Sequence, residues 1–247
     1  MIDHQLRQRR SALWALAICG ASLLACKAFD KNGSETKPPS SADAAEPAPV
    51  LAVLGKAGPA PSRVRVPIQK GAIAPAKAWP DACTLLGEDD IRTILPGATK
   101  IDLERGLVRI MNIDEFAAGS KKDEFVRAGR CTYTFQLPGE SHPRTRVWIR
   151  IEAVADPALI ERYFSNYAGA GPYPGSRISN VNDCVLTGLA DGNLRCRHGP
   201  LIFELGGYGT ARFKETEVFG IAPPFFWRDK ILPEFAKSIA AKLETSK

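Results

Sequence analysis

Between residues 131 and 153, apolar and polar positions alternate with a period of two. Cys131, Tyr133, Phe135 and Leu137 interleave with Thr132, Thr134 and Gln136, and Val147, Ile149, Ile151 and Ala153 interleave with Arg146, Trp148, Arg150 and Glu152. Each run predicts a strand buried on one face. Leu137-Pro138-Gly139 and the polar stretch through Arg144 join the two as a hairpin. Shorter strands are predicted near Cys184 to Thr187, Asn193 to Arg197 and Leu201 to Leu205, with turns at Asp191-Gly192 and His198-Gly199-Pro200. From Lys100 to Gly129 the pattern is mixed: Gly106 reads as a turn, and Leu107, Val108, Ile110 and Ile113 are compatible with a strand.

Three stretches change to helical spacing. Glu88, Asp89 and Asp90 precede Ile91, Ile94 and Leu95, and Pro96-Gly97 closes the run, which predicts a short helix with acids in its first turn. Asp156-Pro157 supplies an N-cap and a first-turn proline for a helix with Leu159, Ile160, Tyr163, Phe164 and Tyr167 on one face, ended by Gly169. A Gly- and Pro-rich loop runs from Gly169 to Gly175, and a last helix is predicted from Pro233 to Leu243, with Phe235, Ile239 and Leu243 aligned. Strands joined by hairpin-length connections and interspersed with helices predict an α+β domain: an antiparallel sheet packed with two to three helices. Residues 80–247 form this single domain.

The N-terminal pattern has neither period. Arg7, Arg9 and Arg10 precede an uncharged apolar run from Ala12 to Ala25, which ends at Cys26. The run is shorter than the roughly 20 residues needed to cross a bilayer, and with its basic flank it predicts a secretory signal over residues 1–25. Leu23-Leu24-Ala25-Cys26 closely resembles the lipobox of bacterial lipoproteins. That resemblance implies a diacylglyceryl group on the Cys26 thiol, cleavage before it and membrane attachment, which takes two or more acyl chains to be stable. Lys27, rather than Asp, follows the cysteine, which resembles the signal for export to the outer membrane. The expected location is therefore the bacterial envelope, anchored by lipid to the outer membrane and facing the periplasm. The alternative is an ordinary signal peptide in which Cys26 is incidental. Arg9-Arg10 matches a twin-arginine export signal only weakly.

Composition then shifts. From residue 26 to about Trp79, Pro, Ala, Ser, Gly and Lys dominate, as in Lys37-Pro38-Pro39-Ser40-Ser41 and Glu46-Pro47-Ala48-Pro49. Such a stretch predicts a disordered tether over 26–79, with a mean reach of roughly 40 Å. The chain has 247 residues, a formal net charge of +6 and a pI near 9.0. Its charge is uneven. Beyond residue 25 there are 30 basic and 26 acidic residues; the tether holds 8 and 4, so the domain carries 22 of each. Lys56, Arg63, Arg65, Lys70 and Lys77 supply the excess, either as a solvated linker or as a contact for anionic lipid, lipopolysaccharide phosphate or cell-wall polymer. A neutral domain argues against a nucleic-acid partner.

Four cysteines remain in the exported domain. Cys184 and Cys196 flank a turn that places them on facing strands, which predicts one disulfide and leaves Cys83 with Cys131 as the other. A zinc site built on Cys184, Cys196 and His198 lacks a fourth ligand at standard spacing. Asp81-Ala82-Cys83-Thr84-Leu85-Leu86, the acidic helix and the second cysteine in an aromatic-bearing strand resemble the small secreted lipoproteins of unknown function common in actinobacteria. Gly188-Leu189-Ala190-Asp191, Arg197-x-Gly199 and the closing helix resemble that family's second half, with departures at Ala190, where glycine is usual, and in the extra cysteine pair. The resemblance implies an α+β sandwich and the Cys83–Cys131 bridge, and no catalytic residues.

Chemistry is sparse. His142 and His198 are the two histidines beyond the signal. No hydrolase, zincin or phosphate-loop motif is present, and Gly207-Tyr208-Gly209 reads as a bend because Arg212 replaces the small residue of a dinucleotide fingerprint. No cofactor, metal or catalytic set is predicted. The candidate binding surface is Trp148 between Arg146 and Arg150, on the polar phase of its strand, where an exposed indole could stack on a sugar or hold a partner peptide. The pattern favours the alternative, in which a helix covers this face and the arginines extend around it. Phe225-Phe226-Trp227 is either a plug or an exposed patch. The expected function is a lipid-anchored envelope protein with a non-catalytic binding or scaffolding domain for an envelope protein or glycan. A cryptic envelope-polymer hydrolase and a purely structural lipoprotein are the alternatives.

Overall fold

Six strands form one antiparallel sheet in the order β1-β2-β3-β6-β5-β4. They are β1 (Thr99–Ile110), β2 (Glu124–Gln136), β3 (Thr145–Val154), β4 (Asp183–Thr187), β5 (Asn193–His198) and β6 (Leu201–Tyr208). The structure is a computed structural model that describes residues 50–59, 63–110, 124–167, 183–187, 192–219 and 224–243. The chain divides into two units, Met1–Glu46 and Pro47–Lys247. The first, with the signal, the lipobox and Cys26, lies outside the described residues, as do the loop at 169–175 and residues 188–191.

Period two sorts the strands into a core face and an outer face. Cys131, Tyr133, Phe135, Val147, Ile149, Phe203 and Leu205 are all buried and share the core face through the pairings Cys131↔Ile149, Tyr133↔Val147 and Ile149↔Leu205. Against it lie α1 (Ala82–Leu85) and α5 (Leu232–Lys242), with α2 (Glu88–Ile94) packed on α5. Each fully buried Leu, Ile or Phe in this layer stabilises by about 1.5–3 kcal/mol relative to exposure. The fold is therefore α+β.

Local chemistry sets the helix ends. In α2 the Asp90 carboxylate reaches back to accept the Gly87 N–H at 2.6 Å, and three acids face the positive end of the helix dipole. In α3 (Pro157–Tyr167), Asp156 Oδ1 accepts the Ala158 N–H at 2.9 Å. The last helix is longer than its periodicity predicts, because a short turn, α4 (Pro224–Phe226), and a π-helical turn over Trp227–Ile231 lead into α5.

The two disulfides join Cys83 to Cys131 and Cys184 to Cys196. The first ties α1 to the core face of β2, and the second links directly opposed residues of β4 and β5. Loops closed over 48 and 12 residues stabilise by about 4 and 3 kcal/mol by restricting the unfolded chain.

Three expectations change. Gly106 is not a turn but lies within β1, opposite Arg130, and β2 begins earlier than its alternation because an irregularity with Ala128 at φ 57° interrupts the pattern. Gly207-Tyr208 is not a bend but continues β6. The third change is the largest: described residues between 50 and 79 are not a free tether but a strap laid on the domain. Ala52 pairs with Phe213, Val64 with Leu243 and Ile73 with Ala155, while Ala52, Val66, Ala74 and Trp79 are buried. The Gly55 N–H donates to the Ile94 carbonyl at 2.8 Å, an approach so close that a Cβ on Gly55 would stand 2.2 Å from the Thr93 carbonyl oxygen. The strap's Lys56, Arg63, Arg65, Lys70 and Lys77 are all exposed, on the domain's own surface.

Candidate functional site

The outer face of the sheet carries Trp148, Arg146, Arg150 and Glu152 on β3, Glu204, Gly206 and Tyr208 on β6, and Asn193, Arg195 and Arg197 on β5. Period two puts them there, and the pairings Arg146↔Tyr208, Trp148↔Gly206 and Arg150↔Glu204 bring them side by side. At one end α3 meets this face, where the Arg197 guanidinium lies 5.2 Å from the centre of the Phe164 ring and pairs with Glu161.

At Trp148 the arrangement is different. A Cβ built on Gly206 would stand 1.9 Å from Trp148 Cζ2 and 2.3 Å from Cε2, so the indole leans across the sheet and occupies the space a side chain at 206 would take. The ring therefore lies against Gly206, and Trp148 is half-buried. Tyr208 stands beside it with ring centroids 6.4 Å apart and planes at 65°, an edge-on pairing that aromatic quadrupoles favour. Tyr208 is 52% exposed. Floor and wall thus form an open aromatic corner.

Charged groups border the corner. Arg150 pairs with Glu152 and, at 2.8 Å, with Glu204; Arg195 pairs with the same two carboxylates at 3.0 and 3.5 Å. Asn193 Nδ2 donates to Glu204 Oε1 at 3.0 Å. Burial pushes the Glu152 carboxyl above its ordinary range, against the pull of Arg195 and Arg150. Burial lowers the Arg150 pKa, yet Glu152 and Glu204 outweigh it and hold the guanidinium above its usual value. Two carboxylates beside an indole resemble a glycosidase pair in composition, but here both are engaged by two arginines, so the cluster is a compensated ion network. No family model, curated protein or solved structure matches the chain. The site is therefore read from its own chemistry.

The histidines are not brought together. His142 is exposed in the β2–β3 hairpin, with Nδ1 2.8 Å from Ser141 Oγ. His198 ends β5, where burial lowers its pKa and its Nδ1 is enclosed without a hydrogen-bond partner among the described residues. The Cys184 and Cys196 sulfurs are bonded to each other, which overturns the zinc alternative at His198. Among the described residues no group of three or more metal-ligating side chains is found, and no described helix is long and apolar enough to cross a membrane.

A cleft of about 290 Å³ lies on the helical side, lined by Gly58, Pro59, Asp89, Asp90, Thr93, Ile94 and Ser238. Its polar groups satisfy one another. Asp90 accepts the Gly87 N–H, takes the Ser238 hydroxyl at 2.5 Å and pairs with the Lys242 ammonium, which also donates to the Leu85 carbonyl at 3.1 Å. Neither histidine lines the cleft. Ser238 hydrogen-bonds a carboxylate already neutralised by Lys242, so the set fastens α2 to α5 rather than activating a hydroxyl.

The other aromatic candidate divides. Phe226 and Trp227 are buried and pack on Phe213 at 5.3 and 6.3 Å between ring centroids, while Phe225 is 55% exposed. Sequence reasoning missed Gly206 and Tyr208, which complete the corner. The signal available was Gly206-Gly207-Tyr208-Gly209, three small residues around one aromatic at the end of an apolar strand.

Proposed function

We propose that the protein is a lipid-anchored component of the bacterial cell envelope whose globular domain is a binding module, with the outer sheet face around Trp148 as its contact surface. The observation that carries this reading is the Trp148 ring, seated on Gly206 with Tyr208 standing edge-on beside it. A large apolar surface held rigid, at little entropic cost and next to charged groups, is what binding surfaces are made of. Leu23-Leu24-Ala25-Cys26 supports the anchor, and Lys27 after it supports a location at the outer membrane, facing the periplasm.

The test has two parts. Mass spectrometry of the N-terminal peptide from the membrane fraction is expected to find Cys26 as the first residue, with fatty acyl groups attached, and C26S is expected to release the protein from that fraction. A photo-crosslinking residue at position 144 of the full chain, exposed two residues before Arg146, is expected to capture an envelope component, and Trp148→Ala to abolish the capture. An unmodified Cys26 would remove the anchor. Capture undiminished by Trp148→Ala would remove the contact surface.

A further inference from the structure

We propose that the Trp148–Tyr208 corner is a subsite for a sugar ring that bears an acid group, the ring stacking on the indole and the acid meeting Arg146. The proposal deepens the binding-module reading and rests on it. The indole lies over Gly206, with Cζ2 and Cε2 where a side chain would be, and stays partly exposed; an aromatic surface is what the C–H face of a pyranose packs against. Tyr208 closes one side of the floor and adds a phenolic hydroxyl, a donor and acceptor suited to a polyhydroxylated ligand.

The charge requirement follows from how the arginines are engaged. Arg150 and Arg195 are neutralised by Glu152 and Glu204. Arg146 is exposed, and its hydrogen bond to the Thr134 hydroxyl is 3.4 Å long. Among the described residues it has no carboxylate partner. It stands directly across from Tyr208 in the ladder, so the site's uncompensated positive charge lies beside the wall of the corner. A guanidinium in that place recognises a carboxylate by paired N–H donors. The ligand chemistry is therefore a flat hydroxylated ring with one anionic group, as in a uronic acid.

Titration calorimetry of the full chain in detergent, with tetragalacturonate and with its methyl ester, tests this. The two share every ring and differ only at the carboxyl groups, charged in one and methyl-esterified in the other. The acid is expected to bind at least tenfold more tightly than the ester. Arg146→Gln is expected to bring the two to equal affinity, and Tyr208→Ala to weaken both about tenfold while the chain stays folded by circular dichroism, since that side chain is half-exposed. Equal affinity of the native chain for acid and ester, no binding of either, or Tyr208→Ala binding as the native chain does, would each overturn the proposal. If the position-144 crosslinker captures a protein while neither saccharide binds, the sugar assignment fails and the binding module stands. If neither saccharide binds and the crosslinker captures nothing, both fail.

Discussion

Trp148, from β3, and Trp227, from the turn before α5, pack on opposite faces of β6 and are treated oppositely. Each indole uses space left by glycine: Trp148 at Gly206 of β6, and Trp227 at Gly207 of β6 and at Gly209 just beyond it, where an added Cβ would stand 3.1 Å and 2.9 Å from the ring. On the core face Trp227 is 2% exposed and meets Phe213 edge-on, whereas Trp148 keeps an open side next to a half-exposed tyrosine. The chemistry of the side chain is identical. What differs is whether a second layer covers it, and α4, α5 and the strap's neighbour Phe213 do so only on the core side of Trp227.

The comparison yields a ranked set of expectations. Trp227→Ala opens a cavity in a layer that cannot collapse, and should lower the unfolding free energy by about 3–5 kcal/mol; Trp148→Ala should lose less than half of that. Urea denaturation of both variants measures it, and equal losses would mean the outer indole is also core. Gly206→Ala overpacks the outer face and should cost about 1–3 kcal/mol. It should also push the Trp148 ring into water, raising iodide quenching of its fluorescence, whereas Gly207→Ala should leave quenching unchanged.

The smallest effects are titrations of opposite sign on the two faces. His198, on the core side, has its pKa lowered by burial from the ordinary 6.5, so the unfolded chain takes up a proton first. Its stabilising contribution is complete above 6.5 and is lost as pH falls through the lowered value. Glu152, on the outer side, has its pKa raised by burial. Its contribution is present below the ordinary carboxylate range and is lost as pH rises through the raised value. Melting temperatures should therefore fall less between pH 7.5 and 5.5, both about one unit from the histidine range, in His198→Asn than in the native chain. An unchanged slope would show that His198 is solvated.

Much of the sheet was legible because period two is a local signal. Val147, Ile149 and Ile151 had to face one way whatever they met, and Asp156-Pro157 caps a helix through bonds within a few residues. Cys184 and Cys196 were readable for the same reason, since a tight turn sets facing residues. β1 was not: as an edge strand with most side chains exposed, it needs no alternation. The corner was half legible, because Trp148, Arg146 and Arg150 follow one another on one phase while Gly206 and Tyr208 arrive from a strand more than fifty residues away.

The amino-acid order alone determined the alternating strands (but not β1), the capped helices, the short disulfide and the phase that sends Trp148 away from Ile149, because each depends on neighbours along the chain. Tertiary structure decided the rest. Ala52, Val66, Ala74 and Trp79 are too sparse to gather a core of their own, so a segment rich in proline and alanine reads as a tether. Once the sheet and helices exist, the same isolated side chains find apolar hollows and unpaired backbone groups, and the strap settles. Which tryptophan is buried is decided in the same way: a layer assembled from distant segments removes water from one side of β6 and leaves it at the corner on the other.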